Sequence, residues 1–205
     1  QDILTDRHRL WTTSRSVPRY WPWGSVSISS EDEARGLART DVILAIQSTE
    51  AEHYQRQSDR PVVTLGHLLA QIDPPAAPPE SPDLLFVGSA WGPNVEGMLW
   101  FLEQVWPAVR QQVPGARLRI AGRVCGCLPA TEGCRKLGVV EDLTSLYRQV
   151  AVAINPVPSG TGLAIKSIEA LGFGRPLVAS ACGARGLEDA DPIAITVAET
   201  PQQWI

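Results

Sequence analysis

Apolar residues in this chain gather in short runs that alternate with segments of helical character. The apolar runs Asp41–Ile46 and Pro61–Leu65 flank a helical segment that Thr49 caps and that extends to Gln57. Another helix is predicted from Glu31 to Arg39, with Ser30 as its N-cap. Short apolar runs are typical of strands that are buried on both faces of a parallel sheet. The order of elements therefore predicts an α/β unit in the first third of the chain.

The same alternation restarts near residue 83 and continues to the end of the chain. Strands are predicted at Leu84–Gly88, Arg117–Gly122, near Val139–Val140, and at Val152–Asn155, Leu177–Ser180 and Ile193–Val197. Helices are predicted at Pro93–Gln112, Leu143–Gln149 and Thr161–Leu171. We therefore expect an α/β protein with a Rossmann-like parallel sheet, preceded by a partial second α/β lobe.

Residues 73–82 are dominated by proline, alanine and acidic residues, a composition that is typical of a linker. The predicted organisation is a first lobe at 1–72, the linker at 73–82 and a second lobe at 83–205. A chain of 205 residues has room for one or two domains.

The composition excludes several classes of protein. A formal net charge of −4 gives no electrostatic reason to expect nucleic acid as a partner. No apolar run approaches the roughly 20 residues that span a bilayer. The four cysteines are expected to be reduced, which favours a cytoplasmic location. The chain opens with Gln1 rather than methionine, which suggests a processed chain or a fragment.

A glycine-rich passage after the Val152–Asn155 strand contains the most specific candidate chemistry. Gly160 and Gly162 precede the predicted helix that contains Lys166 and Glu169. Glycine turns and helix N-termini bind anions because their N–H groups are free and the helix dipole is positive there. A single carboxylate among apolar neighbours suits hydrogen bonds from neutral hydroxyls, such as those of a ribose.

Five segments together resemble the C-terminal, donor-binding domain of a GT-B-fold retaining glycosyltransferase of the type called family four or group one. The resemblance extends from about Pro82 to Trp204, and it makes the first lobe the tail of an N-terminal acceptor domain. The five segments are Leu85–Ser89 with Pro93–Asn94, Trp100–Leu102 with Val105–Pro107, Arg117–Gly122, Val140–Leu143 with Leu146–Tyr147, and Ser159–Ser180.

The resemblance implies a donor site with particular roles for its residues. Glu169 matches the family glutamate that holds the ribose hydroxyls, whereas Thr161 stands where the family has a glutamate that contacts the donor sugar. The family's arginine and lysine that bind the phosphates are missing from Gly88–Gly97, which leaves Lys166 as the candidate cation. The implied donor-binding residues are Gly88, Asn94, Gly160, Thr161, Gly162, Leu163, Lys166 and Glu169. No catalytic side chain is assigned.

The implied function is transfer of a sugar from a nucleotide-sugar donor to a glycan or lipid-linked acceptor, in polysaccharide biosynthesis. The family reaction is retaining, and no metal or other cofactor is expected. Backbone N–H groups of Gly160–Leu163 and the Lys166 ammonium would stabilise the departing diphosphate. Most of the acceptor domain would lie upstream of this chain, and it would provide any peripheral contact with the membrane.

Two functions other than sugar transfer remain open. The fold is also that of a non-catalytic nucleotide-binding or interaction module, for which Thr161 is the main argument, and of a GT-B sugar-nucleotide epimerase.

Asp189 and Asp191 form an Asp-x-Asp sequence, which a solvated loop explains better than a metal site. Three cysteines have a spacing that suits free thiols better than zinc, namely Cys125, Cys127 and Cys134.

Overall fold

The computed structural model describes residues 28–69, 79, 81–160 and 162–205, and these form two compact units. One unit contains the described residues of Gln1–Leu68 and Ser159–Leu163, and the other contains those of Leu69–Pro158 and Ala164–Ile205. Residues 1–27 of the predicted first lobe, most of the predicted linker 73–82, and Thr161 lie outside the described residues.

The first unit is a small α/β structure, as its apolar pattern predicts. Strands β1 and β2 pair in parallel, with Ile43 opposite Val62, and the helix between them packs on the pair. Its buried apolar core is Ile43, Ala45, Ala51 and Tyr54. The elements are α1 (Ser30–Leu37), β1 (Ile43–Ala45), α2 (Ser48–Gln57) and β2 (Val62–Thr64).

The N-terminus of α1 shows how local chemistry sets a helix boundary. The Ser29 hydroxyl accepts a hydrogen bond from the Asp32 N–H at 3.1 Å, and the Asp32 carboxylate accepts one from the Ser29 N–H at 3.2 Å. This reciprocal capping box satisfies two N–H groups that the helix leaves without partners. The cap is therefore Ser29, one residue before the predicted Ser30. Similarly, α2 begins at Ser48, so Thr49 lies inside its first turn.

The second unit contains one six-stranded sheet in which every pairing is parallel, in the order β5-β4-β3-β6-β7-β8. Its strands are β3 (Leu84–Val87), β4 (Leu118–Ala121), β5 (Cys134–Gly138), β6 (Val152–Asn155), β7 (Leu177–Ala179) and β8 (Ile195–Val197). Its helices are α3 (Gly92–Gln104), α4 (Trp106–Gln112), α5 (Leu143–Arg148), α6 (Ile165–Gly172) and α7 (Pro201–Trp204), with a 3-10 helix at Arg123–Cys127.

Apolar side chains cover both faces of this sheet, which explains its continuous apolar strands. Along β3, Leu85 belongs to one buried cluster and Phe86 belongs to the other, because successive side chains point to opposite faces. The Phe86 cluster contains three other buried aromatic rings, namely Phe101 of α3, Trp106 of α4 and Trp204 of α7. The second cluster includes residues of α5 and α6. The predicted Rossmann-like α/β fold is confirmed.

Two predicted elements of the second unit were wrong for identifiable reasons. The helix predicted over Pro93–Gln112 is two helices, because Pro107 has no N–H to continue the first one. The strand predicted near Val139–Val140 lies at Cys134–Gly138, an edge strand that lacks an apolar run because the exposed residues Arg135 and Lys136 lie at its centre. No helix in the described part of the chain has the length and apolar character that crossing a membrane requires.

Candidate functional site

The order of strands in the second unit selects one edge of the sheet as the place for a ligand. From β3 the chain proceeds to β4 and β5 on one side, whereas β6, β7 and β8 lie on the other side. In open parallel sheets, ligands bind in the crevice beyond the carboxyl ends of the two strands where this direction reverses. Here those strands are β3 and β6, which end at Val87 and Asn155.

Gly88 follows β3 at this edge, and its surroundings leave no space for a side chain. A Cβ atom at Gly88 would lie 2.7 Å from the Phe86 ring and 3.3 Å from the Asn94 side-chain amide carbon. The Gly88 carbonyl group also faces Gly122, where φ is +98° and a Cβ would collide with that carbonyl. The Gly88 and Gly122 backbones are therefore in direct contact at the end of β3, and position 88 places no side chain in the crevice.

Asn94 lies in the first turn of α3, directly after the Gly88 loop, and it is 5% exposed. Its amide nitrogen donates to the Ser89 carbonyl oxygen at 3.1 Å and to the Ser89 hydroxyl at 3.2 Å. Its amide oxygen accepts a hydrogen bond from the Lys166 ammonium. The structure thus brings together two residues predicted for the donor site, although 72 positions separate them in the sequence.

Lys166 extends from the first turn of α6 toward this loop. Its ammonium lies 4.5 Å from the centroid of the Phe86 ring, a distance that suits a cation–π interaction. Burial lowers the pKa of Lys166 to about 7, while Cys182 and Glu169 act in the opposite direction. The site therefore contains a cation that releases its proton near neutral pH.

Glu169 lies one turn after Lys166 on α6, on the same side of that helix. Burial raises the pKa of the Tyr147 phenol, and the negative charge of Glu169 raises it further. Tyr147 stacks on Phe173 with ring centroids 4.7 Å apart, and its hydroxyl donates to the Lys166 carbonyl oxygen at 3.4 Å. Tyr147 thus supports the helix that presents both Lys166 and Glu169.

The glycine-rich passage differs from its prediction in conformation. Helix α6 begins at Ile165, so Gly160, Gly162 and Leu163 precede it rather than forming its first turn. Glycine lowers helix stability by about 1 kcal/mol relative to alanine, which explains the late start. These three residues belong to the first compact unit. The roles predicted for them stay predictions, as does that of Thr161.

A buried polar cluster that the sequence did not reveal anchors α6 to the end of β6. Asn155, which is 2% exposed, donates to the Ser167 hydroxyl at 2.9 Å. The Ser167 hydroxyl donates to the Gly183 carbonyl oxygen at 2.6 Å, and the Gly183 N–H donates to the Ser180 hydroxyl at 3.0 Å. The one available clue was an asparagine that ends an apolar strand. The cluster fixes the helical turn that contains Lys166.

The residues considered as metal ligands do not converge. Asp189 and Asp191 are exposed, and the Asp191 carboxylate accepts a hydrogen bond from the Ile193 N–H at 2.9 Å within a turn. Cys125 is buried and donates to the Ile120 carbonyl oxygen at 3.1 Å, whereas Cys127 is exposed. Within the described ranges, no group of three or more histidine, cysteine or acidic side chains is arranged to hold a metal ion.

The family model described as "Glycosyl transferases group 1" matches residues 81–205, which is more than half of the chain. The chain belongs to the group 1 glycosyltransferase family. A curated relative, the "Uncharacterized 44.6 kDa protein in cps region" of Klebsiella pneumoniae, is 27% identical over 119 residues. That alignment covers 51% of this chain and 30% of the relative.

Solved structures of GT-B glycosyltransferases share the fold. One is a TarM mutant from S. aureus, crystallised with fondaparinux, alpha-GlcNAc-glycerol and UDP. It superposes with a TM-score of 0.67 at 11% identity, and the match covers 92% of this chain and 40% of TarM. Sucrose-phosphate synthase from Thermosynechococcus elongatus gives a TM-score of 0.66 at 18% identity, covering 97% and 54% of the two chains. The chain thus spans about a third to a half of these relatives.

Proposed function

We propose that this glycosyltransferase chain binds a nucleotide-sugar donor beyond the carboxyl ends of β3 and β6, and that the sugar is passed to a glycan or lipid-linked acceptor. The observation that carries the proposal is the pairing of a partly buried cation with a carboxylate, Lys166 and Glu169, at the strand-order reversal. This crevice is where open parallel sheets bind nucleotides. The UDP in the TarM structure makes uridine nucleotides the first donors to test.

Lys166 is assigned to the donor diphosphate. When the bond between the anomeric carbon and the diphosphate breaks, negative charge grows on the departing phosphate oxygens. A cation that is already in place stabilises this charge more effectively in a site with little water than in solution. The Lys166 ammonium is held in such a partly desolvated position.

Glu169 is assigned to the ribose of the donor. An ionised carboxylate accepts hydrogen bonds and donates none, so it matches the two neutral hydroxyls of a ribose. Its location one turn from Lys166 fits a nucleotide whose diphosphate lies near the lysine and whose ribose lies further along α6. Lys166 and Glu169 would then contact neighbouring groups of one molecule.

The proposed reaction retains the anomeric configuration and uses no metal ion. An oxygen of the leaving diphosphate accepts the proton of the attacking hydroxyl on the same face of the sugar, so this unit supplies charge stabilisation and orientation. We place the reaction in the cytoplasm. When the acceptor is lipid-linked, the reaction takes place at the membrane surface, which the acceptor domain would contact.

Calorimetric titration with UDP, GDP and their sugar conjugates tests the donor site. Glu169→Gln should weaken UDP binding by about 5- to 150-fold, which corresponds to about 1–3 kcal/mol for the hydrogen bonds lost. The same substitution should change the affinity for 2′-deoxy-UDP much less. Glu103→Gln, at an exposed position of α3, is the matched control. An equal loss for both nucleotides would reject the ribose role, and no binding of any nucleotide at millimolar concentration would reject the donor site.

Thr161 supports a second candidate, a non-catalytic nucleotide-binding module. This residue occupies the position of the glutamate that contacts the donor sugar in the resembling family. A full-length protein that binds nucleotide sugars but neither transfers nor hydrolyses them would favour this candidate. Recovery of an epimerised sugar nucleotide would instead identify the epimerase function.

A further inference from the structure

The loop that follows β3 contains no cation of its own. Gly88–Gly97 has neither lysine nor arginine. The structure instead brings a cation to this loop from α6, where Lys166 donates a hydrogen bond to the Asn94 amide oxygen. The two residues join α3 and α6, which follow the two strands at the order reversal.

We propose that Asn94 is a positioning residue, which Ser89 orients and which in turn holds the Lys166 ammonium group at the carboxyl ends of β3 and β6. The availability of this cation to a donor diphosphate rests on the proposed function. Both parts of the Asn94 amide are occupied within the protein, because its nitrogen donates to two oxygens of Ser89 and its oxygen accepts from Lys166. Asn94 therefore acts through Lys166 rather than on the donor.

The identity of the residue at position 94 is suited to this task. An amide oxygen accepts a hydrogen bond from an ammonium without cancelling its charge. A carboxylate here would form an ion pair and compete with a phosphate for the cation. Gly88 completes the arrangement, since any side chain there would press on Phe86 and on Asn94. The loop thus directs a lysine from another helix without neutralising it.

Among the residues that the structure describes, few ionisable groups act on Lys166. Glu169 on α6 and Cys182 after β7 both favour the charged form of the lysine, whereas burial disfavours it. The hydroxyl of Tyr147 on α5 donates to the Lys166 backbone carbonyl oxygen at 3.4 Å. A substitution at Asn94 that adds or removes an acceptor should therefore shift the protonation of Lys166 measurably.

The test is a pH titration of the lysine side chains by NMR, with the protein labelled at the lysine Cε carbon. The chain contains two lysines, Lys136 and Lys166, so the side-chain signals are easily assigned. Lys136 is exposed and donates to the Leu128 carbonyl oxygen at 2.9 Å, which makes it an internal control. Asn94→Asp should raise the pKa of Lys166 by about 1–3 units, as an opposite charge nearby does. Asn94→Leu should lower it, and Lys136 should not respond.

The second readout is UDP affinity in a double-mutant cycle. Asn94→Leu should weaken binding about tenfold in the wild-type background and have no further effect in Lys166→Met. Equal losses in both backgrounds would show that Asn94 merely maintains the fold, and an unchanged Lys166 pKa in both Asn94 variants would overturn the proposal. If the Leu variant does not fold, Asn94→Asp and Ser89→Ala supply the same pKa measurement. Absence of UDP binding to the wild type would reject the donor site, whereas the pKa shifts would still decide the role of Asn94.

Discussion

Gly97 of α3 lies directly against the Pro156 carbonyl group, which follows β6. A Cβ atom at position 97 would lie 2.8 Å from the Pro156 carbonyl carbon and 3.0 Å from the Val157 Cα, and closer still to the carbonyl oxygen. This contact lets helix α3 approach Pro156 and Val157, which directly follow β6 at the carboxyl edge of the sheet. A glycine at this position thus contributes to the geometry of the candidate site.

Gly97→Ala should therefore destabilise the protein by about 1–3 kcal/mol, because the added methyl group overpacks against backbone that cannot move freely. Urea denaturation measures the change. Gly36→Ala in α1 is the matched control, since apart from its chain neighbours and the backbone of its own helix no described atom lies within 4 Å of its new Cβ. There the usual helical preference for alanine should add up to about 1 kcal/mol of stability. A Gly97→Ala protein as stable as the control variant would contradict the packing argument.

The ion pair between Arg119 and Asp83 should be important for stability. Asp83 is 2% exposed, and its carboxylate accepts from the Arg119 guanidinium at 2.7 Å and from the Ser81 hydroxyl at 2.7 Å. Arg119→Met would leave a buried carboxylate without its cation, which costs about 3–5 kcal/mol. Equilibrium denaturation at pH 7 checks the value.

The control for this ion pair is Arg56→Met on α2. A guanidinium nitrogen of Arg56 lies 3.9 Å from a carboxylate oxygen of Glu52, and both side chains are mostly exposed. Their pairing should therefore contribute about 0–0.5 kcal/mol to the free energy of unfolding. Similar losses of stability in the two variants would show that burial of Asp83 does not set the energy of its ion pair.

Lys166 should make the stability of the protein depend on pH in a defined direction. Its pKa is lowered from 10.5 to about 7 by burial, so the unfolded chain binds more protons than the folded chain between these values. The contribution of this lysine to the free energy of unfolding therefore rises as the pH rises from about 7 to about 10. Lys166→Met should remove this rise and stabilise the protein at pH 7 by on the order of 1–3 kcal/mol.

The difference in the free energy of unfolding between the wild type and Lys166→Met isolates the effect of this lysine, since the two proteins share all other ionisable groups. One of them is Cys134, whose pKa is raised to about 11 by burial and whose effect on stability has the opposite sign. Thermal melts from pH 6 to pH 10 provide the comparison. Parallel stability curves for wild type and Lys166→Met would show that the lysine is not desolvated in solution.

Cys127 should react with iodoacetamide before the other cysteines do. It is exposed, whereas Cys125 is buried and burial raises the pKa of Cys134 and of Cys182. Alkylation requires an accessible thiolate, so both features slow the other three thiols. Mass spectrometry of digests at increasing times would give the order, and Cys127→Ser should eliminate the fast phase. Rapid modification of Cys125 would mean that the 3-10 helix opens readily.

The α/β class and most strands of the second unit were predictable, because strands buried on both faces need apolar residues throughout. The sequence located Val152–Asn155 with its bounds, but it missed β5, where an edge strand keeps polar residues. It joined α3 and α4 because apolar periodicity continues through Pro107, and it placed the start of α6 too early. Helix α7 is a single turn and was not predicted, since four residues give too little pattern.

For the candidate site, the sequence by itself determined which residue types are present: Gly88 after a strand, a glycine-rich passage, and Lys166 and Glu169 on one face of a helix. It also determined family membership, which depends on the order of short motifs. Only the tertiary structure decided that Asn94 meets Lys166 and that Asn155, Ser167 and Gly183 form one buried cluster. The physical reason is that helical and strand periodicity involve residues that are near one another in the sequence. These contacts join residues that are far apart in the sequence, and they depend on the order of the parallel strands in the sheet.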